Sequence, residues 1–245
     1  MYFTLSNYDD NENNYININQ YSKKSNSTST INSTINSNIN STINSIKPLN
    51  LLNNQINTRL NIILDLDNTL LNSVTFENLD YVPPEIPLKY IDFKISNLNP
   101  NFKYRIFGRP YLDFFLNEIS KLANIAVWTA AGKEYAQEIV NNLFPNNINI
   151  DFLFHSEQTE DCLRNYYRMK PLDYLFSLNP DKYNKNNTII IDDYGMVIDS
   201  NKNNSIQIPR WDIFEQNSLT FNRNSCYDVE LLKMVDKIKH RFNLV

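Results

Sequence analysis

Six polar residues in this sequence are placed where their side chains could act together. Each closes or follows a short apolar run or comes just before a predicted helix: Asp65, Asp67, Thr129, Lys170, Asp192 and Asp193. The carboxyl ends of parallel strands meet at one edge of a sheet, where α/β proteins bind their ligands. Carboxylates gathered at that edge repel one another, and a cation is the natural remedy. A set of oxygen ligands without His or Cys favours Mg²⁺ over zinc.

The same residues contain the parts that phosphoryl transfer needs. Mg²⁺ held by carboxylates usually keeps several waters and takes a phosphate oxygen of the substrate. Asp65 could attack phosphorus and form an aspartyl phosphate, Thr129 could donate a hydrogen bond, and Lys170 could neutralise phosphate charge. Asp67 is the discriminating residue, because a serine or threonine alkoxide is a poor leaving group that needs a proton. This second carboxylate fits a phosphatase better than an ATPase.

The elements that must position these residues alternate along the chain. The predicted strands are Ile62–Leu66, Ile125–Trp128, Phe152–Phe154, Thr188–Ile191 and Ser205–Ile208. The predicted helices are Tyr111–Leu122, Lys133–Leu143, one that begins near Pro171, and one that spans Tyr227–Phe242. Strands that are apolar at successive positions are typical of parallel sheets covered on both faces. The alternation therefore indicates an α/β fold with a doubly wound, mainly parallel sheet.

Two other segments lie outside this alternation. Residues 1–58 are rich in Asn, Ser and Thr and repeat the tetrapeptide STIN, which predicts a disordered low-complexity tail before a folded domain at 59–245. The segment Leu71–Gly108 contains YVPPEIP and the hairpin-like KYIDFKISNLNPNFKYRIF. It predicts a small β-flap and no large helical cap. An uncapped site suits a phosphate that is presented on a protein chain.

Composition and charge exclude several classes of protein. The chain carries 23 Lys and Arg against 27 Asp and Glu, without the basic stripe of a nucleic-acid-binding protein. No apolar run approaches the roughly 18 to 20 residues of a membrane span, and the first residues resemble no signal or transit peptide. Cys162 and Cys226 imply neither a disulfide framework nor a zinc site. We expect an intracellular protein, nuclear or cytoplasmic and not secreted, without direct nucleic-acid or membrane binding.

The motifs resemble those of a known superfamily. DLDNT at Asp65–Thr69 matches the DxDx[TV] signature of the haloacid dehalogenase superfamily, and VWTAAGKEYA, MKPLDYL and IIIDDYG occupy its second, third and fourth motif positions in order. The closer resemblance is to the small-phosphatase and TFIIF-associated branch that dephosphorylates the C-terminal domain of RNA polymerase II. That branch has an RP-x-x-x-x-F-L segment, here Arg109–Leu116. The resemblance covers nearly all of residues 60–242.

The resemblance implies a role for the reacting positions. Asp65 would be the nucleophile and a Mg²⁺ ligand. Asp67 would be the general acid and then the general base, with its backbone carbonyl on the metal. Thr129 and Lys170 would bind the phosphate.

The resemblance also gives roles to the two aspartates of the fourth motif, and the sequence departs from the family's pattern at two positions. The resemblance makes Asp193 a direct metal ligand and gives Asp192 a supporting role through water or neighbouring groups. Asn68 replaces the commoner acidic residue of the first motif, and Pro171 replaces the usual residue after the lysine of the third. Neither departure removes a reacting group.

The implied function is Mg²⁺-dependent hydrolysis of phosphoserine or phosphothreonine in proteins through an aspartyl phosphate, with the polymerase C-terminal repeats as a candidate substrate. One alternative is a catalytically silent binding scaffold of the mitochondrial import receptor type. The retained Asp65, Asp67, Lys170 and Asp193 argue for activity instead. The other alternative is a small-molecule phosphatase, which the missing cap disfavours.

Four further residues are expected to be structural. Trp128 and Tyr135 fit the core better than a surface that binds substrate. His155 and Cys162 are expected to be ordinary loop residues and not catalytic ones. No catalytic role is assigned to any of the four.

Overall fold

A parallel sheet is the central layer of the fold. In the computed structural model, which describes residues 59–95 and 103–244, the strands are β1 Leu60–Leu64, β2 Leu71–Thr75, β3 Tyr90–Lys94, β4 Lys103–Gly108, β5 Ala123–Trp128, β6 Ile150–Phe154, β7 Thr188–Asp192 and β8 Ser205–Gln207. Five of them form one sheet in the order β6-β5-β1-β7-β8, and its neighbours are parallel. This order confirms the predicted doubly wound α/β fold, and it puts β1 at the centre.

Helices cover both faces of this sheet. They are α1 Leu112–Leu122, α2 Lys133–Leu143, α3 Ser156–Tyr166, α4 Leu172–Leu178, α5 Gly195–Ser200 and α6 Glu230–Arg241. Successive side chains of a strand point to opposite faces. Ile62 and Leu64 of β1 accordingly join one core with α1, α2 and α6. Ile63 joins a second core with α3, α4 and α5, and this explains why the strand is apolar at every position.

The end of β1 differs from the prediction. The strand ends at Leu64 and not at Leu66. Leu66 is fully buried, but its carbonyl already accepts the N–H groups of Thr69 and Leu70 at 3.2 and 2.8 Å. The chain therefore turns at Leu66. Because Leu66 is apolar and buried within this turn, the sequence pattern predicted a strand that ends two residues too late.

The segment between β1 and α1 forms a second, smaller sheet. Its order is β2-β4-β3, and both pairs are antiparallel. This sheet is the β-flap predicted for Leu71–Gly108, with a 3₁₀ helix at Phe76–Tyr81 before the hairpin. The tip of the hairpin, residues 96–102, lies outside the described residues. The tail predicted for residues 1–58 lies outside them as well.

One expectation between the second and third motifs is wrong. The predicted loop contains the helix α3, in which Cys162 is fully buried, and His155 is the N-cap residue of this helix. The buried residues of α3 are Thr159 and Cys162. A helix with so few buried positions has little hydrophobic periodicity, and the sequence pattern therefore did not predict it. Burial raises the pKa of Cys162 to about 11, which suits a small core residue and not a nucleophile.

The described residues contain no helix that is both long enough and apolar enough to cross a membrane.

Candidate active site

The predicted site residues meet at the carboxyl edge of the parallel sheet. Leu64 of β1 lies opposite Val127 of β5 and Ile191 of β7. Asp65 directly follows Leu64, and Asp192 directly follows Ile191 as the last residue of β7. Thr129 is the first residue after β5. The N–H group of Asp65 donates to the carbonyl of Ile191 at 3.1 Å, which ties the first motif to the fourth.

Lys170 connects two of the carboxylates. Its Nζ atom lies 2.5 Å from Oδ1 of Asp65 and 2.8 Å from Oδ2 of Asp192. The side chains of these residues are 2, 8 and 1 % exposed, respectively. Burial alone would lower the pKa of Lys170, but the two carboxylates outweigh burial and raise the pKa above its usual value. Lys170 is therefore a fixed positive charge in the site.

The backbone of Lys170 is held in an uncommon conformation. Its φ angle is 46°, in the left-handed region that non-glycine residues seldom adopt. The side chain of Asn201 supports this turn, because its amide donates to the Lys170 carbonyl at 3.0 Å and its oxygen accepts from the N–H group of Leu172 at 2.8 Å. Asn201 thus fixes the position from which Lys170 reaches the sheet edge, and sequence reasoning did not identify it.

Three of the four predicted aspartates lie close enough to share a metal ion. Asp65, Asp192 and Asp193 each offer a carboxylate oxygen, and these atoms lie within 4.8 Å of one another. Burial and the Asp65 carboxylate raise the pKa of Asp192 to about 7 and also raise the pKa of Asp193. Lys170 offsets only part of this negative charge. The cluster therefore fits a divalent cation with oxygen ligands.

Asp193 is held by residues from two other segments. The Thr69 hydroxyl accepts from the N–H group of Asp193 at 3.1 Å and lies 3.4 Å from its Oδ1 atom. Arg210, 60 % exposed, lies 3.4 Å from Oδ2 of Asp193 and 2.9 Å from Oδ2 of Asp212. Thr69 is the last residue of DLDNT, so the first motif supplies a buried support for Asp193 in addition to its own carboxylates.

Asp67 is not one of the three clustered carboxylates, and it has a different hydrogen-bond partner. The Tyr135 hydroxyl donates to Oδ1 of Asp67 at 2.6 Å. Burial raises the pKa of Asp67 to about 6, although the hydrogen bond from Tyr135 acts in the opposite direction. Tyr135 is buried as expected, but sequence reasoning missed its polar contact. Its position in the first turn of the helix after the second motif was the available signal.

Thr129 is placed to act as a hydrogen-bond donor. It is 1 % exposed, and its hydroxyl oxygen accepts from the N–H group of Ala131 at 3.0 Å. This contact leaves the hydroxyl proton for another acceptor. The Thr129 carbonyl accepts from the Thr159 hydroxyl of α3 at 3.1 Å, so the unpredicted helix supports the second motif.

Asn68, which replaces the commoner acidic residue, has a local explanation. Its φ angle is 64°, a left-handed conformation that Asn adopts more readily than Glu. Its side-chain amide donates to the carbonyl of Trp211 at 3.1 Å, and its own carbonyl accepts from the N–H group of Trp211 at 2.8 Å. A carboxylate could not make the first of these bonds. Asn68 therefore joins the segment after β8 to the first motif.

The arginine of the RP segment also supports the first motif. Arg109 is 1 % exposed and makes two hydrogen bonds to the Asp228 carboxylate, at 2.8 and 2.9 Å. Its third bond, at 2.9 Å, goes to the carbonyl of Thr69. Asp228 also accepts from the N–H group of Glu230 at the start of α6. A partly buried ion pair thus connects the start of α6 to Thr69, which holds Asp193.

Comparison with known proteins shows the family of this chain. The family model of the NLI interacting factor-like phosphatases matches residues 60–240. The CTD phosphatase-like protein 355R of Invertebrate iridescent virus 6 is 31 % identical over 191 residues, which cover 75 % of this chain and 99 % of the relative. The nuclear envelope morphology protein 1 of Saccharomyces cerevisiae is 27 % identical over 177 residues, which cover 67 % of this chain and 37 % of the relative.

A solved structure shares the fold. Fcp1, an essential RNA polymerase II CTD phosphatase, matches 76 % of this chain and 51 % of its own, with a TM-score of 0.51 and 22 % identity. The present chain therefore spans about half the length of that protein. The family match extends over β1 to α6, and it includes both carboxylate pairs and Lys170. The chain belongs to the NLI interacting factor-like phosphatases, and it is a protein phosphatase of the haloacid dehalogenase type.

Proposed function

We propose that this chain is a Mg²⁺-dependent phosphatase of phosphoserine and phosphothreonine in proteins, and that Asp65 forms an aspartyl phosphate. The observation that carries the proposal is the unequal setting of Asp65 and Asp67. Asp65 contacts Lys170 beside two further carboxylates, whereas Asp67 contacts a neutral hydroxyl and has a pKa raised to about 6. Two carboxylates with such different surroundings suit a nucleophile and a proton donor.

The carboxylates of Asp65, Asp192 and Asp193 would hold Mg²⁺, because they offer oxygen ligands close together and carry uncompensated negative charge. The resemblance adds the backbone carbonyl of Asp67 to these ligands. When bound, the ion would supply positive charge to the phosphoryl oxygens.

The first step would transfer the phosphoryl group to the enzyme. A carboxylate oxygen of Asp65 attacks phosphorus, and the bond between phosphorus and the serine oxygen breaks. Asp67 gives its proton to that oxygen, so that serine leaves as an alcohol. Lys170 neutralises charge on the phosphoryl group, and the Thr129 hydroxyl donates a hydrogen bond to it.

The second step would release phosphate. Asp67 is now a carboxylate and takes a proton from a water molecule that attacks the phosphorus of the aspartyl phosphate. The bond between phosphorus and Asp65 breaks, which regenerates the Asp65 carboxylate and frees inorganic phosphate. The proton taken up restores Asp67 for the next cycle.

A protein substrate is favoured by the segment that follows the first motif. In the described part of Leu71–Gly108, three short strands and one 3₁₀ helix occupy the place of a cap. The repeats of the RNA polymerase II C-terminal domain are the candidate substrate, since Fcp1 is described as an RNA polymerase II CTD phosphatase and the viral relative 355R as CTD phosphatase-like. Activity on this polymerase would place the protein in the nucleus.

The test is phosphate release from a phosphoserine heptad peptide, an aryl phosphate and a sugar phosphate, with Mg²⁺ or with a chelator. We expect turnover of the peptide and the aryl phosphate that requires Mg²⁺, and a higher kcat/KM for the peptide than for the sugar phosphate. Preference for the sugar phosphate would contradict the protein substrate. A folded protein that is inactive on all three would favour the binding scaffold.

The pH dependence should distinguish the two kinds of leaving group. We expect kcat/KM for the phosphoserine peptide to fall as pH rises through about 6, because burial raises the pKa of Asp67 to that value and only its protonated form can donate. Below pH 6 the acid is present, and above it the competent fraction falls about tenfold per pH unit. An aryl phosphate needs no proton from Asp67, so its kcat/KM should not fall as pH rises through about 6.

The measurement is kcat/KM for both substrates between pH 4.5 and 8 at saturating Mg²⁺. The variant Asp67→Asn is the matched control, and its residual kcat/KM for the peptide should no longer fall as pH rises through about 6. An equal fall in kcat/KM with rising pH for both substrates would contradict Asp67 as its cause.

A further inference from the structure

Tyr135 hydrogen-bonds the carboxylate of Asp67, the proton donor of the proposed function. Its hydroxyl donates to Oδ1 of Asp67 at 2.6 Å, across 68 positions of sequence. Lys170, by contrast, bonds the carboxylates of Asp65 and Asp192. The two carboxylates of the first motif therefore have separate supports, one charged and one neutral.

The position of Tyr135 is itself set by the flap sheet. Its ring lies 5.8 Å from the ring of Phe93 on β3 and 5.8 Å from the ring of Tyr104 on β4, with interplanar angles of 61° and 75°. Such edge contacts between aromatic rings restrict both rings. Two strands of the flap, β3 and β4, thus contact the residue that holds Asp67.

A carboxylic acid needs such a support when it has to deliver a proton. The last torsion of an Asp side chain is broad, so the carboxyl of Asp67 can turn unless a second contact fixes it. The bond from Tyr135 occupies Oδ1, which leaves Oδ2 to carry the proton that moves to the leaving oxygen. Proton transfer requires hydrogen-bond geometry, and small displacements of a reacting group are costly in rate.

We propose that Tyr135 is a positioning residue that orients the Asp67 carboxyl toward the leaving oxygen and couples the flap sheet to proton transfer. This inference rests on the proposed function. It assigns Tyr135 no contact with substrate, and the hydroxyl neither gains nor loses a proton in the cycle. Its effect is confined to substrates whose leaving group needs protonation.

The variant Tyr135→Phe tests the inference because it removes the hydroxyl and keeps the ring between Phe93 and Tyr104. We expect kcat/KM for the phosphoserine peptide to fall about tenfold, a part of the 10²- to 10⁴-fold that a general acid contributes. For the aryl phosphate we expect a change of less than about twofold, since its leaving group needs no proton. A purely structural role would lower both values together.

Two further variants complete the experiment. Tyr183→Phe is the matched control, because Tyr183 is also buried and its hydroxyl also bonds a carboxylate, that of Asp151, in the core on the other face of the sheet. It should leave both rates unchanged. In protein that already carries Asp67→Asn, adding Tyr135→Phe should cause no further loss, because two residues that act through one group are not additive.

The outcomes separate this inference from the proposed function. Equal losses on both substrates, an unchanged rate on the peptide, or a full additional loss in the Asp67→Asn background would overturn the role of Tyr135. A wild-type protein that is inactive on both substrates would overturn the proposed function, and the inference with it.

Discussion

Asp65→Asn should lower kcat/KM for both the phosphoserine peptide and the aryl phosphate by at least about 10⁴-fold, the scale on which nucleophile removal acts in other hydrolases. An amide cannot form the acyl phosphate, so the leaving group makes no difference. This sets Asp65 apart from Asp67, whose loss should weigh more on the peptide. Steady-state phosphate release at saturating Mg²⁺ measures both values.

The fold should survive this substitution. Asn has nearly the shape of Asp, and Lys170 keeps its bond to Asp192 at 2.8 Å. Asp173→Asn is the matched control, because Asp173 pairs with Arg168 on the surface and its side chain is 70 % exposed. We expect the control to retain activity within about twofold, since surface pairs contribute little.

A direct readout of the intermediate accompanies the rates. Wild-type protein quenched in acid during turnover of a labelled substrate should carry label that alkali releases, and Asp65→Asn should carry none. A variant with more than about a tenth of wild-type activity would show that another group attacks phosphorus.

The sheet and most of the site follow from local sequence. Strands buried on both faces are apolar at successive positions, and a parallel sheet brings their carboxyl ends together. This reasoning located Asp65, Thr129 and Asp192 correctly, because each is the residue at or just after a strand end. Lys170 stands on a loop, and only the order of the motifs suggested its position. Its approach to the carboxylates depends on the left-handed backbone conformation of Lys170 and on the hydrogen bond from Asn201 to the Lys170 carbonyl.

The remaining features depend on contacts between distant parts of the chain. Tyr135 meets Asp67 across 68 positions, and Arg109 meets Asp228 across 119. No periodicity encodes such pairs, because they arise only when the helices pack against the sheet. The helix α3 was missed for a related reason: its buried side is narrow, and its other residues are polar.

Lys170→Met should affect both rate and stability. We expect kcat/KM to fall about 10²- to 10³-fold on either substrate, as when one fixed donor to the phosphoryl group is removed. The free energy of unfolding should fall by about 3 to 5 kcal/mol, because Asp65 and Asp192 would then face each other in a buried site without their shared cation. Urea unfolding measures the loss.

The stability lost in Lys170→Met should depend on pH, and the charges of Lys170 and Asp192 determine the direction. Lys170, whose pKa is raised, stays protonated throughout the range from pH 5 to 8. Burial already raises the pKa of Asp192 to about 7 with Lys170 present, and removing the lysine raises it further. At low pH a proton on Asp192 relieves the repulsion. The loss of stability in Lys170→Met should therefore be smaller below about pH 7, where Asp192 is protonated with or without the lysine, and should grow above pH 7.

Mg²⁺ should restore part of this stability, and the restoration identifies the cluster as its site. A ligand that binds only the folded state stabilises it, and the cation would replace positive charge beside Asp65, Asp192 and Asp193. Lys182→Met is the matched control, since Lys182 also pairs with a carboxylate, that of Asp151 at 2.5 Å, but with only this one, and its side chain is 39 % exposed. It should cost at most about 1 kcal/mol, with little dependence on Mg²⁺. Equal losses in the two variants, unaffected by Mg²⁺, would contradict a buried charge cluster that binds metal.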